Sequence, residues 1–277
     1  GSDPFALTAS AESGSFDTYH LNAAANGTAG TVDYGAAANY IHTNGISAAD
    51  KRNGNPETDG YGNFGATANT RIHFNDSVSL DLRGYYTTAR DDYDDNSGFL
   101  PPYLAADSFA YNKNRLAAGY AGLNFDLFDG AMRNRISVMA TKSNRDFYNS
   151  FFDLVPNQKD SDNKGNATRL EYQGTANVSQ DEQLVFGAEE ESSRFSSVGT
   201  FSNDRGHSSI YSFYGQYQKT IFRTLTLTGG VRYDHHDQFG SHTSLKCAGA
   251  WEPIDGTVLH ANYGDGFKAP SLYELFA

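Results

Sequence analysis

The stretch Ser244-Leu245-Lys246-Cys247-Ala248-Gly249-Ala250-Trp251 is followed by Glu252-Pro253-Ile254-Asp255-Gly256 and then by Thr257-Val258-Leu259-His260-Ala261-Asn262-Tyr263. Leu245, Cys247, Gly249 and Trp251 alternate with Ser244, Lys246, Ala248 and Ala250. After the Pro- and Gly-containing break, Leu259, Ala261 and Tyr263 alternate with Val258, His260 and Asn262. A period of two puts successive side chains on opposite faces of a strand, so each run has an apolar face and a mostly polar one. Two such runs around a tight break make a β-hairpin.

The same pattern continues towards the N-terminus. Leu225, Leu227, Gly229, Val231 and Tyr233 oppose Thr226, Thr228, Gly230, Arg232 and Asp234. Leu170, Tyr172, Gly174, Ala176 and Val178 oppose Arg169, Glu171, Gln173, Thr175 and Asn177. Val78, Leu80, Leu82, Gly84 and Tyr86 return along Ala66, Ala68, Thr70, Ile72 and Phe74 after Asn75-Asp76. The opening runs, Phe5 to Glu12 and Tyr19 to Ala25, alternate more weakly, with Asn26-Gly27 and Gly30 supplying a turn. About thirteen strands are expected in all, and the fold class is all-β.

Two regularities narrow the architecture. Short turns alternate with long polar loops at 43–60, 88–113, 144–166 and 193–206, followed by a loop at 235–242, which gathers the loops at one end of an antiparallel meander. The charges within strands, among them Asp33, Arg71, Asp81, Arg83, Arg169, Glu171, Glu189, Arg232, Asp234 and Lys246, fall opposite the apolar set. A transmembrane β-barrel requires both features, because a cation facing lipid near the midplane costs about 2 to 4 kcal/mol. Strands of about ten residues suit a tilted crossing of the bilayer. Aromatics near strand ends, Tyr86, Tyr233 and Tyr263 towards the loops and Phe74, Phe125, Phe222 and Trp251 towards the turns, fit the two interfacial girdles of such a barrel. A soluble β-sandwich serving as a carbohydrate-binding or adhesion module would show the same alternation, with its apolar face turned to a second sheet.

The hairpin runs into Tyr263-Gly264-Asp265-Gly266-Phe267-Lys268-Ala269-Pro270-Ser271-Leu272-Tyr273-Glu274-Leu275-Phe276. This segment resembles one inside the barrel domain of TonB-dependent outer-membrane receptors. Together with Val231-Arg232-Tyr233-Asp234 and Asp237-Gln238-Phe239-Gly240, its order and spacing are most similar to the cobalamin (vitamin B12) receptor branch. The Lys268-Ala269-Pro270 core is shared with siderophore and haem receptors. The resemblance implies a Gram-negative outer-membrane transporter that takes up cobalamin, or a ferric siderophore or haem, with energy delivered by TonB through a plug domain. It also implies a barrel of about 22 strands. On that reading residues 1–4 are an expression-vector remnant. Residues 5–277 are then the N-terminal half of an up-and-down barrel, about 12 to 13 strands, with plug and C-terminal strands outside the chain. Such a half barrel is not transport-competent by itself, and its two open edges would favour self-association.

Composition excludes other classes. With 21 Lys and Arg against 33 Asp and Glu, the net charge of −12 does not suit a nucleic-acid surface. The 18 Tyr and 19 Phe argue against disorder. The single Cys247 permits no internal disulfide and packs as a small hydrophobe on its apolar face. No signature of a nucleophile, phosphate loop or metalloprotease helix occurs, so the chain is not read as an enzyme.

Candidate sites lie in the loops. Asp91-Asp92-Tyr93-Asp94-Asp95 carries oxygen ligands at the density calcium favours, though without the Gly and terminal Glu of an EF-hand loop. The resemblance implies calcium bound by aspartates of the outer loops and suggests Asp59 as a further position. His235-His236-Asp237 offers metal-ligand types, but adjacent side chains of an extended segment point apart, which favours a plain loop. In the family-like segment Tyr263, Gly264, Phe267, Lys268, Ala269, Pro270 and Leu272 carry the motif. There Pro270 fixes φ and withholds a donor at a strand end, and a folding role is favoured over ligand contact.

Overall fold

A computed structural model describes residues 5–47, 52, 58–96, 105–106, 108–149, 157–199 and 203–276. The strands in order are β1 (Phe5–Gly14), β2 (Thr18–Ala29), β3 (Val32–Thr43), β4 (Tyr61–Asn75), β5 (Val78–Asp92) and the two-residue β6 (Asp95–Asn96) and β7 (Ala105–Ala106). They continue as β8 (Tyr111–Leu127), β9 (Met132–Tyr148), β10 (Lys159–Ser179), β11 (Glu182–Gly199), β12 (Asn203–Ile221), β13 (Leu225–His236), β14 (Gly240–Ile254) and β15 (Thr257–Gly264), with the short helix α1 (Leu272–Phe276) at the end. Thirteen of them form one antiparallel sheet in chain order, while β6 and β7 pair only with each other inside a loop. Every neighbour is the next long strand in sequence, which makes an up-and-down meander. The sheet is not closed on itself, and β1 and β15 are its edges.

Register fixes which residues share a face. Asp33 lies opposite Arg71, and Arg71 opposite Asp81. The same row runs through Gly122, Ser137, Glu171, Glu189 and Ser212 to Asp234. All ten strand charges expected on the polar face share this parity, and the other parity carries the Leu, Val, Ala and aromatic rows.

Burial is inverted relative to a water-soluble domain. The only buried hydrophobic residues among those described are Ala110 and Tyr111, whereas Leu245 is 56%, Phe213 60% and Val231 47% exposed. On the polar face Asp81, Ser212 and Asp234 are buried. A soluble sandwich hides its apolar rows against a second layer; here those rows face outwards and the polar face is the sheltered one. Asn134, buried on the outward parity near the turns, is satisfied by the Tyr172 hydroxyl, which donates to it at 2.8 Å, and by donation to the Phe125 and Met132 carbonyls.

Several expected boundaries move. The loops expected at 88–113, 144–166 and 193–206 are partly strand, since β5 continues to Asp92, β9 to Tyr148, β10 starts at Lys159, β11 continues to Gly199 and β12 starts at Asn203. At 43–60 only Thr43 belongs to a strand, and residues 48–51 and 53–57 lie outside the described set. The loop at 235–242 reduces to a turn at 237–239, and β1 joins β2 through an equally short turn at 15–17, so loop-side connections are not uniformly long. Asn26-Gly27 lies inside β2, opposite Gly35 and Tyr34, and the chain turns instead at Gly30, whose φ of +61° suits a residue without Cβ. The physical cause at the loop side is that strands outlast the bilayer. Past the interface both faces meet water, so the apolar alternation stops while backbone pairing continues.

Candidate functional site

The sheltered wall is a ladder of ion pairs. Arg71 donates to both Asp81 oxygens at 2.6 and 2.8 Å, a bidentate fork, and Asn124 adds a third donor at 3.3 Å. Arg83 lies over the Tyr120 ring at 5.1 Å. Arg169 donates to Glu191 at 2.6 Å and Arg135 to the Gln173 carbonyl at 2.7 Å. Furthest along, Arg232 bridges Glu189 (2.6 Å), Asp234 (2.8 Å) and the Ser212 hydroxyl (2.7 Å), and Ser212 donates onward to Asp234 at 2.6 Å. Tyr214 donates to Glu171 at 3.0 Å, and its ring lies over Gly187, where any side chain would collide with it. The buried carboxylates of this wall, Asp81 and Asp234, therefore each have a cation partner, the condition for holding charge out of bulk water. Arg135, Glu191, Ser212 and Tyr214 were not singled out from sequence, although the alternation that placed Arg169 places them too.

The family-like segment folds back over this wall. After β15, Asp265 exchanges two bonds with Leu245, its backbone N donating to the Leu245 carbonyl (3.1 Å) and its carboxylate accepting from Leu245 N (2.5 Å). Phe267 stacks on His242, with ring centroids 5.1 Å apart and planes at 26°. Ser271 and Glu274 form a capping box for α1: Glu274 N donates to the Ser271 hydroxyl (3.2 Å), and Ser271 N and hydroxyl donate to the Glu274 carboxylate (2.7 and 2.8 Å). Those bonds, backbone first, and the Lys268 charge hold the Glu274 carboxyl below the ordinary glutamate range. Ala269, Pro270 and Leu272 line a cleft of about 430 Å³ against Ser143, Phe195 and Ile210 of the sheltered face. Tyr263 is on the other parity, 70% exposed and opposite Cys247, and Gly264 pairs with Lys246. Cys247 is likewise exposed on the outward face.

The described loop aspartates take different partners. Asp91 and Asp92 are successive strand residues on opposite faces: Asp91 accepts from Asn114 (3.2 Å), and Asp92 is paired with Arg90 (2.8 Å). Asp94 accepts from Ser47 (3.0 Å), the Asp59 carbonyl packs against Gly45, and the Asp95 side chain lies outside the described set. Among the described residues no three His, Cys, Asp or Glu are grouped to hold a metal ion. His236 is buried against Phe239 (4.9 Å) and accepts from Gln238 N (3.1 Å), while Asp237 accepts from Ser209 N (3.0 Å). His235 and His236 close β13 and Asp237 opens the turn, and the adjacent His236 and Asp237 side chains meet at 3.1 Å rather than pointing apart.

An open meander with lipid-compatible rows outside and a charged, cleft-bearing wall inside is the wall of a transmembrane β-barrel. Residues 5–277 match the family model described as TonB dependent receptor-like, beta-barrel, and the chain belongs to that family, whose members sit in the outer membrane of Gram-negative bacteria. Over 269 residues the chain is 27% identical to the vitamin B12 transporter BtuB of Photobacterium profundum, covering 95% of this chain and 40% of that protein. The chain therefore spans about two fifths of that relative. Among solved structures it superposes on the siderophore receptor PirA from Acinetobacter baumannii, with TM-score 0.70, 16% identity and coverage of 96% of this chain and 43% of that one. It also superposes on a mutant of the ferric enterobactin receptor PfeA from Pseudomonas aeruginosa, with TM-score 0.71, 14% identity and coverage of 99% and 45%. At those identities the likeness is one of fold.

Proposed function

We propose that the chain forms the first half of the barrel wall of an outer-membrane active transporter for cobalamin, driven by TonB through a plug domain. The observation that carries the ligand assignment is the 27% identity to a vitamin B12 transporter across 95% of the chain. Supporting it, the sheltered wall offers fixed dipoles and a loop-side cleft next to Ala269, Pro270 and Leu272, suited to a large polar ligand. The loop ends of β3 to β5 and β8 to β12 frame the entrance on this reading, and the interior ion-pair ladder faces the plug. On its own the chain exposes two sheet edges and associates through them; a monodisperse, detergent-free monomer in light scattering contradicts that.

The test is equilibrium binding of cyanocobalamin and of a ferric siderophore to the full-length receptor, each with and without calcium. Tight cyanocobalamin binding with no siderophore binding is expected, and the reverse transfers the protein to the iron-chelate branch. The calcium arm asks whether Asp59, Asp91, Asp92, Asp94 and Asp95 gather around a cation when ligand is present. Affinity unchanged by chelator removes calcium from the proposal.

A further inference from the structure

On the sheltered face, near the loop ends of β4 to β11, one rung runs through Asn63, Ala89, Asn114, Arg145, Asn163 and Ser197, each opposite the next on adjacent strands. The rung below it is Gly65, Thr87, Leu116, Ser143, Gly165 and Phe195. Most of these residues line a cleft of about 590 Å³, which adjoins the one beside Pro270 through Ser143, Gly165 and Phe195. Neither rung carries a carboxylate, and Arg145 is their single cation. The floor is therefore small and hydroxyl-bearing, the upper rung is mostly neutral amide, and one guanidinium stands in the middle.

That guanidinium is held in place without being neutralised. Arg145 Nε donates to Asn114 Oδ1 at 2.6 Å, and the guanidinium carbon lies 5.7 Å from the centre of the Phe147 ring. Asn114 is oriented in turn by donating to Asn112 (2.6 Å) and to Asp91 (3.2 Å), which leaves its oxygen to accept. Asp91, one rung higher on β5, is thus tied to Asn114 and not to the guanidinium. Arg145 is exposed, and among the described residues it has no carboxylate within salt-bridge distance. Arg71, Arg83, Arg135, Arg169 and Arg232 on the same face each have one at 3.9 Å or less. Arg133 and Lys246 also lack one, but Arg133 sits at the turn end and Lys246 lines a cleft with Glu171 and Glu189. A planar fork with fixed orientation and no carboxylate spent on it, in a cleft at the mouth, fits an anionic group brought by a ligand.

We infer that Arg145 is a specificity-determining residue of the cargo site, receiving the phosphodiester of the corrinoid's nucleotide arm. Its terminal nitrogens donate to the phosphate oxygens while Asn114 and Phe147 hold its plane. Thr87, on the rung below, accepts from Asn63 (3.0 Å) and keeps its own hydroxyl proton to donate to the adjoining ribose. The inference rests on the cobalamin reading proposed above and names the part of the ligand that this wall reads. The chemistry itself is that of a small oxyanion, which an anionic iron chelate would also carry.

The test is equilibrium binding of cyanocobalamin, cobinamide phosphate and dicyanocobinamide to the full-length receptor and to its R145Q, R145K and K142Q variants. The first two ligands carry a phosphate and the third does not. R145Q loses about tenfold in affinity for both phosphate-bearing ligands, the loss expected of a charge-assisted contact open to water, and nothing for dicyanocobinamide. R145K keeps the charge without the fork and falls between. K142Q makes a similar charge change on the same strand but the opposite face, and leaves all three affinities unaltered. Equal losses for the three ligands in R145Q, no loss for any of them, or an equal loss in K142Q overturns the inference. If R145Q does not fold, modification of the wild type by phenylglyoxal decides instead: cyanocobalamin protects Arg145 and dicyanocobinamide does not, and equal protection by both overturns the inference. A wild type that binds none of the three overturns the transport reading and this inference with it. A ferric siderophore that such a wild type binds, and R145Q binds less well, moves the anion to an iron chelate.

Discussion

Val138 and Met139 are neighbours on β9 with nearly equal exposure, 42% and 38%, yet they face different media. Val138 lies opposite Ala121 and Leu170 on the outward parity, and Met139 lies opposite Tyr120 and Arg169 on the sheltered one. Val138 is six residues from Met132, where β9 starts on the turn side, or about 20 Å along the strand. At a tilt near 40° that is about 15 Å along the membrane normal, the middle of a hydrocarbon core of about 30 Å. Val138→Arg is therefore expected to cost about 2 to 4 kcal/mol, a shift of about 30- to 900-fold in the folding equilibrium. Met139→Arg meets water, with at most about 1 kcal/mol from the like charge of Arg169 across the strand pair, since Arg169 is already held by Glu191. The assay is equilibrium denaturant unfolding of the full-length receptor in phospholipid vesicles, with the folded fraction read by heat-modifiable gel mobility. Equal costs at both positions, or the larger cost at Met139, refute the assignment of lipid to the Val138 face.

Two further outcomes follow from local geometry. Ile221 to Thr224 is a two-residue hairpin turn closed by Thr224 N to Ile221 O (3.2 Å), with Phe222 and Arg223 both in the left-handed region at φ of 53° and 60°. Arg223→Gly relieves a residue of that conformation and should raise unfolding stability by about 1 kcal/mol, checked by the same denaturant titration; a loss of stability there would falsify the turn assignment. The folded-state pKa of Glu274 is depressed, so its cap on α1 is fully present above the unfolded value near 4.5 and is lost as pH falls through the lower folded value. Amide hydrogen exchange at Ser271 and Glu274, corrected for intrinsic pH dependence, should lose protection only below that point, and Glu274→Gln should remove the dependence.

The strands and their two faces were legible because hydrocarbon and water impose a strict period of two on every crossing. Where that contrast ends the sequence falls silent: Lys159-Asp160-Ser161-Asp162-Asn163-Lys164 has no apolar alternation, yet it pairs with β9 and β11 because backbone hydrogen bonds still need partners. The sides of Arg71, Asp81 and Arg232 were readable, but their partners were not, because pairing depends on which residue turns each hairpin. The β2 to β3 turn shows this sensitivity: of the expected Asn26-Gly27 and Gly30, only Gly30 lies in it. Helix α1 had a visible signal in Ser271-Leu272-Tyr273-Glu274, the spacing of a capping box. The strand-like stretch before it obscured that signal. That the segment folds back over the sheltered wall is a long-range fact with no local signature.

The placement of charge ties fold to role. A soluble sheet would be held by its apolar rows, and here those rows touch no second layer, so lipid must supply that contact. What the chain itself supplies between strands is the backbone ladder and, on the sheltered side, forks such as Arg71 to Asp81 and Arg232 to Glu189. Those forks are strongest where water is scarce and geometry is fixed, which makes the sheltered wall stiff without a hydrophobic core. On the transport role proposed above, a stiff, polar, water-compatible wall would suit a bulky hydrophilic cargo, because it presents fixed dipoles and no oily surface. The strand charges Asp33, Arg71, Asp81, Arg83, Arg169, Glu171, Glu189, Arg232, Asp234 and Lys246 face the sheltered wall, which leaves the outward parity to rows dominated by Leu, Val, Ile, Ala, Gly and aromatic rings.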